Sequence, residues 1–122
     1  ANLKKVDLSN LDLRKIDLSE ADLRKADLRN SDLYGVRLFK TDLRNSLLSN
    51  ANLTAAYLSS AVMQGTDLQW ANLEQAILRY ATSLTPSQIQ SANIDRETKL
   101  PHYLEVHWVS DNNFHCKFKA DT

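Results

Sequence analysis

Glycine is nearly missing from this sequence. Gly35 and Gly65 are the only two in 122 residues, and so few exclude a glycine-rich loop that cradles phosphate. The single cysteine, Cys116, excludes an internal disulfide and leaves the redox compartment open. Net charge is missing too, because fifteen Lys and Arg balance fifteen Asp and Glu. A neutral chain has no global field to steer it onto nucleic acid or anionic lipid. No apolar run is long enough for a membrane-spanning helix, and no signal peptide is visible. The chain opens at Ala1 already inside a repeat, as expected of a processed chain, a trimmed piece or part of something longer. Its length suits one domain with a modest core.

What the sequence does have is a leucine at every fifth position. Leucines at 3, 8, 13 and onward to 58, then Met63, Leu68, Leu73 and Leu78, centre sixteen consecutive units without an insertion. Two residues before each centre stands a small or apolar residue, such as Ala1, Val6, Leu11, Ile16, Ala21 or Ser31. Asp or Asn usually stands one residue before it, and two mostly polar residues follow.

Regular secondary structure cannot hold this pattern. A helix advances about 100° per residue, so a five-residue period drifts around its surface. In a strand an odd period sends successive leucines to opposite faces. A coil that turns one corner per unit keeps them all inside. Each unit then offers a short strand with two inward side chains, the leucine and the residue two before it.

Units of the form A-(D/N)-L-x-x, as in "ADLRKADLRNSDL" from Ala21 to Leu33, resemble those of the pentapeptide repeat family, and the match covers residues 1–80. The resemblance implies an all-β solenoid, a right-handed quadrilateral β-helix with four units per coil. This chain then makes about four coils with a short C-terminal α-helical cap. Leucine ladders fill the axis and small Ala, Ser and Thr fit beside them. Asp7 stacks under Asp27, Asp12 under Asp32 and Asp22 under Asp42. Such pairs suggest a catalytic dyad or a metal site. A structural role is the simpler reading, because the acids circle every face and Arg14, Arg24, Arg29 and Arg44 flank them.

The ends of a solenoid need caps. The pattern fails after Tyr80, and residues 81–122 are read as cap and tail. Thr85, Pro86 and Gln88 form an N-cap, a first-turn proline and a capping box. They predict a helix over 86–92, with Leu84, Ile89 and Ala92 facing the last coil. This stretch also resembles the cap of cyanobacterial and plastid family members. Two alternating runs, 103–109 and 114–119, predict a β-hairpin around Ser110 to Asn113. At the other end the first coil carries Leu3, Val6, Leu8, Leu11, Leu13 and Ile16. Its larger apolar cross-section is a candidate association surface, met head to head by a second copy or joined to another segment.

Four units per coil sort the outward residues into four faces. One shows Lys4, Lys5, Arg24, Lys25 and Arg44, interrupted by Asp22 and Asp42. A phosphate contact is conceivable there, but a solvated, salt-bridged face explains it more simply. Another gathers Arg37, Phe39, Lys40, Tyr57, Ile77, Arg79 and Tyr80, the composition of a partner-binding surface. The competing expectation is that the hairpin covers that face with Trp108 or Phe118. Trp70 is a lone exposed aromatic. The tail holds His102, His107, His115 and Cys116. An even hairpin loop around 111–112 puts His107 and Cys116 on one face and His115 on the other. Two aligned ligands are too few for zinc, and nothing there orients a nucleophile.

These observations point to a non-enzymatic structural or protein–protein interaction module. No catalytic residue, metal or cofactor is expected, and no nucleic-acid, membrane or small-molecule partner. The expected partner is another protein, with a homodimer through the N-terminal coil as a further expectation. Some members of the resembled family mimic DNA and bind a topoisomerase; short length and neutral charge speak against that alternative. A spacer or cap within a larger chain is the other alternative. The lone cysteine suggests the cytoplasm, or the thylakoid lumen or periplasm if a targeting segment was removed.

Overall fold

The computed structural model describes residues 1–120. Through residue 80 every unit repeats one local structure: an outward bridge residue, the inward leucine, then a two-residue turn. The turn closes when the next unit's first N–H donates to the leucine carbonyl, as from Ala26 to Leu23 at 3.1 Å. Its last residue lies at positive φ in all sixteen corners, from 56° at Lys40 to 70° at Gly65. Positive φ at the third turn position but not the second is the type II pattern.

Parallel bridges link residues twenty apart, from Asn2–Asp22 through Tyr57–Ile77. Four five-residue units therefore complete one coil, and each coil lies in register on the one before. The bridge residue spends both backbone groups on the coil below. Asp22 donates its N–H to Ala1 (2.9 Å), and its carbonyl accepts from Leu3 (2.8 Å). The corner residue adds a third bond, as from the Lys25 N–H to the Arg44 carbonyl at 3.1 Å.

Inside, the centres from Leu23 to Leu78 are fully buried, each beside a small neighbour such as Ala26, Ala56 or Ala76. Four inward hydroxyls are also buried, and each finds a carbonyl. Ser31 donates to Leu28 and Ser46 to Leu43, while Thr41 donates to Leu18 and Thr66 to Leu43. Burying them unpaired would cost about 1–3 kcal/mol each.

The sequence repeat stops at Tyr80, but the ladder does not. Thr82 bridges Val62, Asn93 bridges Asn72 and Lys99 bridges Ile77. Helix α1 (Pro86–Ser91) replaces one side of this irregular last coil. Thr85 and Gln88 form its capping box, and Ala92 is its C-cap, so the helix is one residue short of the expected span. The Gln88 side-chain amide donates to the carbonyls of Met63 and Thr66, both at 2.9 Å. It thus satisfies the Thr66 carbonyl, an edge group that a fifth regular coil would have taken, and adds a second bond to the Met63 carbonyl, which already closes its own turn. Leu84, Ile89 and Ala92 are buried over the core.

Strands β1 (Leu104–Ser110) and β2 (Asn113–Phe118) form an antiparallel hairpin. A bulge between Trp108 and Ser110 shifts the register, so Val106 pairs with Cys116 and His107 with His115. The expected grouping of His107 with Cys116 is therefore wrong. One extra residue in one strand reverses which side chains share a face.

The first coil is open. Among residues 1–20 no side chain is buried, and Leu11 is 44% exposed. Among the described residues, the lower backbone groups of Asn2, Asp7, Asp12 and Asp17 have no coil to bond. None of the helices among the described residues is long and apolar enough to cross a membrane.

Leu3 and Leu43 occupy the same inward column, one at the open end and one fully buried. Leu43→Ala should destabilise the fold by about 2–5 kcal/mol, and Leu3→Ala clearly less. Urea midpoints of both variants check this; equal losses would contradict the closed-core reading of coil three.

Candidate functional site

The outer surface is built on one local device. An Asp or Asn one residue before the leucine turns its side-chain oxygen back and accepts the N–H two residues on, as Asp27 does from Arg29 at 3.1 Å. This Asx bond steadies the strand end before the corner. When the residue two on is arginine, the pair locks further. Arg14, Arg24, Arg29 and Arg44 each donate two guanidinium bonds to Asp12, Asp22, Asp27 and Asp42, at 2.6–2.9 Å for the nearest oxygens. Alternation allows this, because both residues point outward from the same short strand.

The clamp sets the protonation of the acids. Hydrogen bonds from the Arg14 side chain and backbone hold the Asp12 carboxyl down at about 2. The guanidiniums of Arg24, Arg29 and Arg44 likewise hold Asp22, Asp27 and Asp42 below the usual carboxylate range. Asp12, Asp22, Asp27 and Asp42 are therefore ionised and paired, so each of the stacked pairs holds at least one acid closed by its own arginine. The first face changes character accordingly. Its arginines Arg24 and Arg44 are spent on Asp22 and Asp42, which leaves Lys4, Lys5 and Lys25 as its unclamped cations.

One column gives the device up. Asp12, Asp32, Asn52 and Asn72 keep it throughout their column; Asn2, Asp22 and Asp42 lose it only at Val62, and Asp7, Asp27 and Asp67 only at Leu47. In the remaining column Asp17 is followed by Arg37, Tyr57 and Ile77, and then by Lys99 in the cap. Three successive coils forgo the Asx bond there. Phe39 is 43%, Tyr57 48% and Tyr80 73% exposed. Arg37, Phe39 and Tyr57 line a shallow groove of about 490 Å³ with Asp17, Ser19 and Ser59. Ile77 and Arg79 line a second depression with Lys99, Gln75 and Glu97. Lys40 places its ammonium over the Phe39 ring at 5.2 Å, and Tyr80 lines a shallow depression with Arg79, Leu100 and His102 at the cap end.

Among the described residues the tail leaves this face open. Gln90 of α1 ties down β2, donating to the Phe114 carbonyl (2.7 Å) and accepting from the Cys116 N–H (2.9 Å). Tyr103 donates its hydroxyl to the Ala81 carbonyl at 2.7 Å. Trp108 packs against Phe114 and under Arg96, not on Tyr57, and Phe118 is itself exposed. The expectation that Trp108 or Phe118 covers the face is thus overturned, because the hairpin seats on α1 at the solenoid's end.

The sequence reading missed how the arginines divide. Four stand in D-x-R and are clamped, and Arg96 lies over Trp108. Arg37 and Arg79 lack the aspartate two residues before them. Arg37 itself sits in the Asp position of its unit, and Ile77 stands two residues before Arg79. Neither makes a salt bridge among the described residues. The presence or absence of D-x-R was the signal available. In the tail, Cys116 is buried and burial pushes its thiol up, while His107 and His115 face each other across the exposed side of the hairpin. Among the described residues no group of three or more His, Cys, Asp or Glu is placed to hold a metal ion.

The clamps predict an acid limit. A carboxyl held below its unfolded value contributes stability that is present above the unfolded value and lost as pH falls through the folded one. The urea midpoint should therefore stay level above about pH 5 and fall between about pH 4 and 2. Replacing Arg14, Arg24, Arg29 and Arg44 by Gln should flatten that fall; an unchanged profile would show that the clamps do not control it.

The chain matches the family described as pentapeptide repeats, in eight copies over residues 1–38 and 37–75. The crystal structure of Rfr23, a pentapeptide repeat protein from the cyanobacterium Cyanothece 51142, is similar at 35% identity and a TM-score of 0.54. That likeness covers 73% of this chain and 63% of Rfr23, so this chain spans less than two thirds of that relative's length. A pentapeptide repeat protein of the Arabidopsis thaliana thylakoid lumen is 25% identical with a TM-score of 0.53, over 90% of this chain and 70% of that one. QnrB1, a plasmid-mediated fluoroquinolone resistance protein, shares only the fold, at 16% identity and a TM-score of 0.54 over 83% of this chain and 71% of its own. No curated protein matches the chain. With its repeats matched over more than half its length, and with four-sided coils like those of its relatives, the chain belongs to the pentapeptide repeat family.

Proposed function

We propose that this protein is a non-enzymatic interaction module, a rigid four-sided post that offers one face to a partner protein. The observation that carries the reading is the column Arg37–Tyr57–Ile77. Three consecutive coils there replace the residue that steadies the strand end with side chains that return no hydrogen bond to the corner. Exposed aromatics beside arginine are the usual composition of a binding surface. A flat face with shallow grooves suits a protein better than an enclosed small molecule. DNA mimicry is the weaker alternative, because it needs an array of unneutralised acids, and here four of the aspartates are closed by their own arginines.

Retention of proteins from the source organism's lysate tests the reading. Wild type and a Phe39→Glu, Tyr57→Glu double variant are compared, both folded by circular dichroism. The expected outcome is a partner held by wild type and lost by the variant. Identical sets on both would rule this face out as the binding surface.

A second reading rests on the open first coil. Asn2, Asp7, Asp12 and Asp17 each direct both N–H and C=O to the unpaired edge. That is the arrangement by which opposite residues of antiparallel strands exchange two bonds. A second copy turned head to head presents antiparallel strands to it, with Leu11 and Ile16 at the apolar centre. Sedimentation equilibrium should then show a dimer that Leu11→Lys converts to monomer; a wild-type monomer at high concentration would discard the reading.

A further inference from the structure

We infer that the Arg37–Arg79 face takes a short acidic segment of a partner protein, bound extended along the solenoid axis. The inference rests on the interaction reading above and names the chemistry of its partner. It follows from how the chain disposes of its guanidiniums. Arg14, Arg24, Arg29 and Arg44 are each held by their own aspartate, and Arg96 covers Trp108. Arg37 and Arg79 are the two exposed arginines that, among the described residues, have neither a carboxylate within ion-pair distance nor an aromatic ring beneath them, and both stand on the one face that keeps only Asp17 of its column's aspartates.

Their placement sets a spacing. They lie two coils apart, on opposite sides of the face, which is about 10 Å along the axis at the usual strand separation. Tyr57 and Ile77 occupy the column between them, and Phe39 flanks Arg37. An extended segment advances about 3.3 Å per residue. Two carboxylates three or four residues apart would therefore reach both guanidiniums, with an apolar or aromatic side chain between them on Tyr57 and Ile77. Arginine suits this task, because its planar fork binds a carboxylate in two bonds. Lys99 extends the positive column beyond Ile77, and Lys40 stands beside Phe39. Asp17 below Arg37 and Glu97 beside Lys99 close the two ends. Those terminal carboxylates repel a long polyanion running past them, so a nucleic acid is the poorer occupant, while a segment that begins and ends between them meets only the cations.

Peptide display tests this. A randomised twelve-residue library is selected on wild type and counter-selected on an Arg37→Gln, Arg79→Gln variant, whose exposed substitutions leave the core untouched. The expected winners carry two acids three or four positions apart around an aromatic or aliphatic residue. Their affinity should fall about tenfold or more for either single Gln variant, the scale of one lost charged hydrogen-bonded contact, and fall again with added salt. Neutral or basic winners, no winners, or equal affinity for the variant would overturn the acidic-segment assignment. So would tighter binding of a labelled single-stranded oligothymidylate than of the selected peptides. The lysate experiment separates the two claims. A partner lost on Phe39→Glu, Tyr57→Glu but kept on Arg37→Gln, Arg79→Gln leaves the interaction face standing and removes its acidic ligand.

Discussion

Everything in this molecule depends on turning a corner at every fifth residue. Each corner needs a residue at positive φ, and the chain supplies glycine at only two of sixteen, Gly35 and Gly65. Asparagine, which tolerates that region, takes four more: Asn10, Asn30, Asn45 and Asn50. The others include Lys, Glu, Trp and Tyr, for which the left-handed conformation costs roughly 1–2 kcal/mol per residue. What holds them there is the stack. The corner N–H of one coil donates to the next coil's carbonyl, the turn closes on the leucine carbonyl, and the leucine fills the axis. No single coil could keep this arrangement, because the bonds that hold a corner come largely from its neighbours, as in other repeat architectures.

The same dependence explains the two ends. At the far end Gln88 bonds the edge carbonyl of Thr66 and the turn carbonyl of Met63 at once, and α1 stands in for a side of the coil. At the near end the first coil keeps its upward bonds while its downward groups and half-exposed leucines stay open. Stability should therefore grade along the axis, greatest in coils two and three, where each corner is held from both sides.

Much of this was legible in the sequence, for a definite reason. A period of five is incompatible with helix and strand, so it specified a cornered coil without help from propensity. The capping box at Thr85 and Gln88 and the apolar Leu84 and Ile89 were likewise local signals of a local structure. What escaped was non-local. The continuation of the ladder through Asn93 and Lys99 has no repeat to announce it, since the spacings become twenty-one and twenty-two residues. The bulge near Val109 is one unpaired residue in a short hairpin, and an even loop was an equally good reading of those letters. The docking of that hairpin on α1 hangs on Gln90, a polar side chain with no distinguishing pattern around it. The candidate face was half visible: its aromatics stood out by composition, but the division of arginines into clamped and unclamped needed the observation that D-x-R is a closed unit.

That division is the link between fold and function. In a solenoid whose core and corners are satisfied unit by unit, outward side chains fall into two kinds. Those that return a bond to their own unit, such as Asp22 with Arg24, stabilise it and present little charge to anything else. Those that return no hydrogen bond, such as Arg37, Tyr57 and Arg79, keep their donors and rings turned to the outside. Scattered singly, the second kind would say little, because exposed apolar residues are normal on any surface. Stacked over three coils on one face, with the stabilising aspartates removed from the same column, they mark a surface whose composition the coil does not explain. The four-sided geometry makes that contrast readable, since three columns of the same molecule show what the repeat places on a face when folding alone decides.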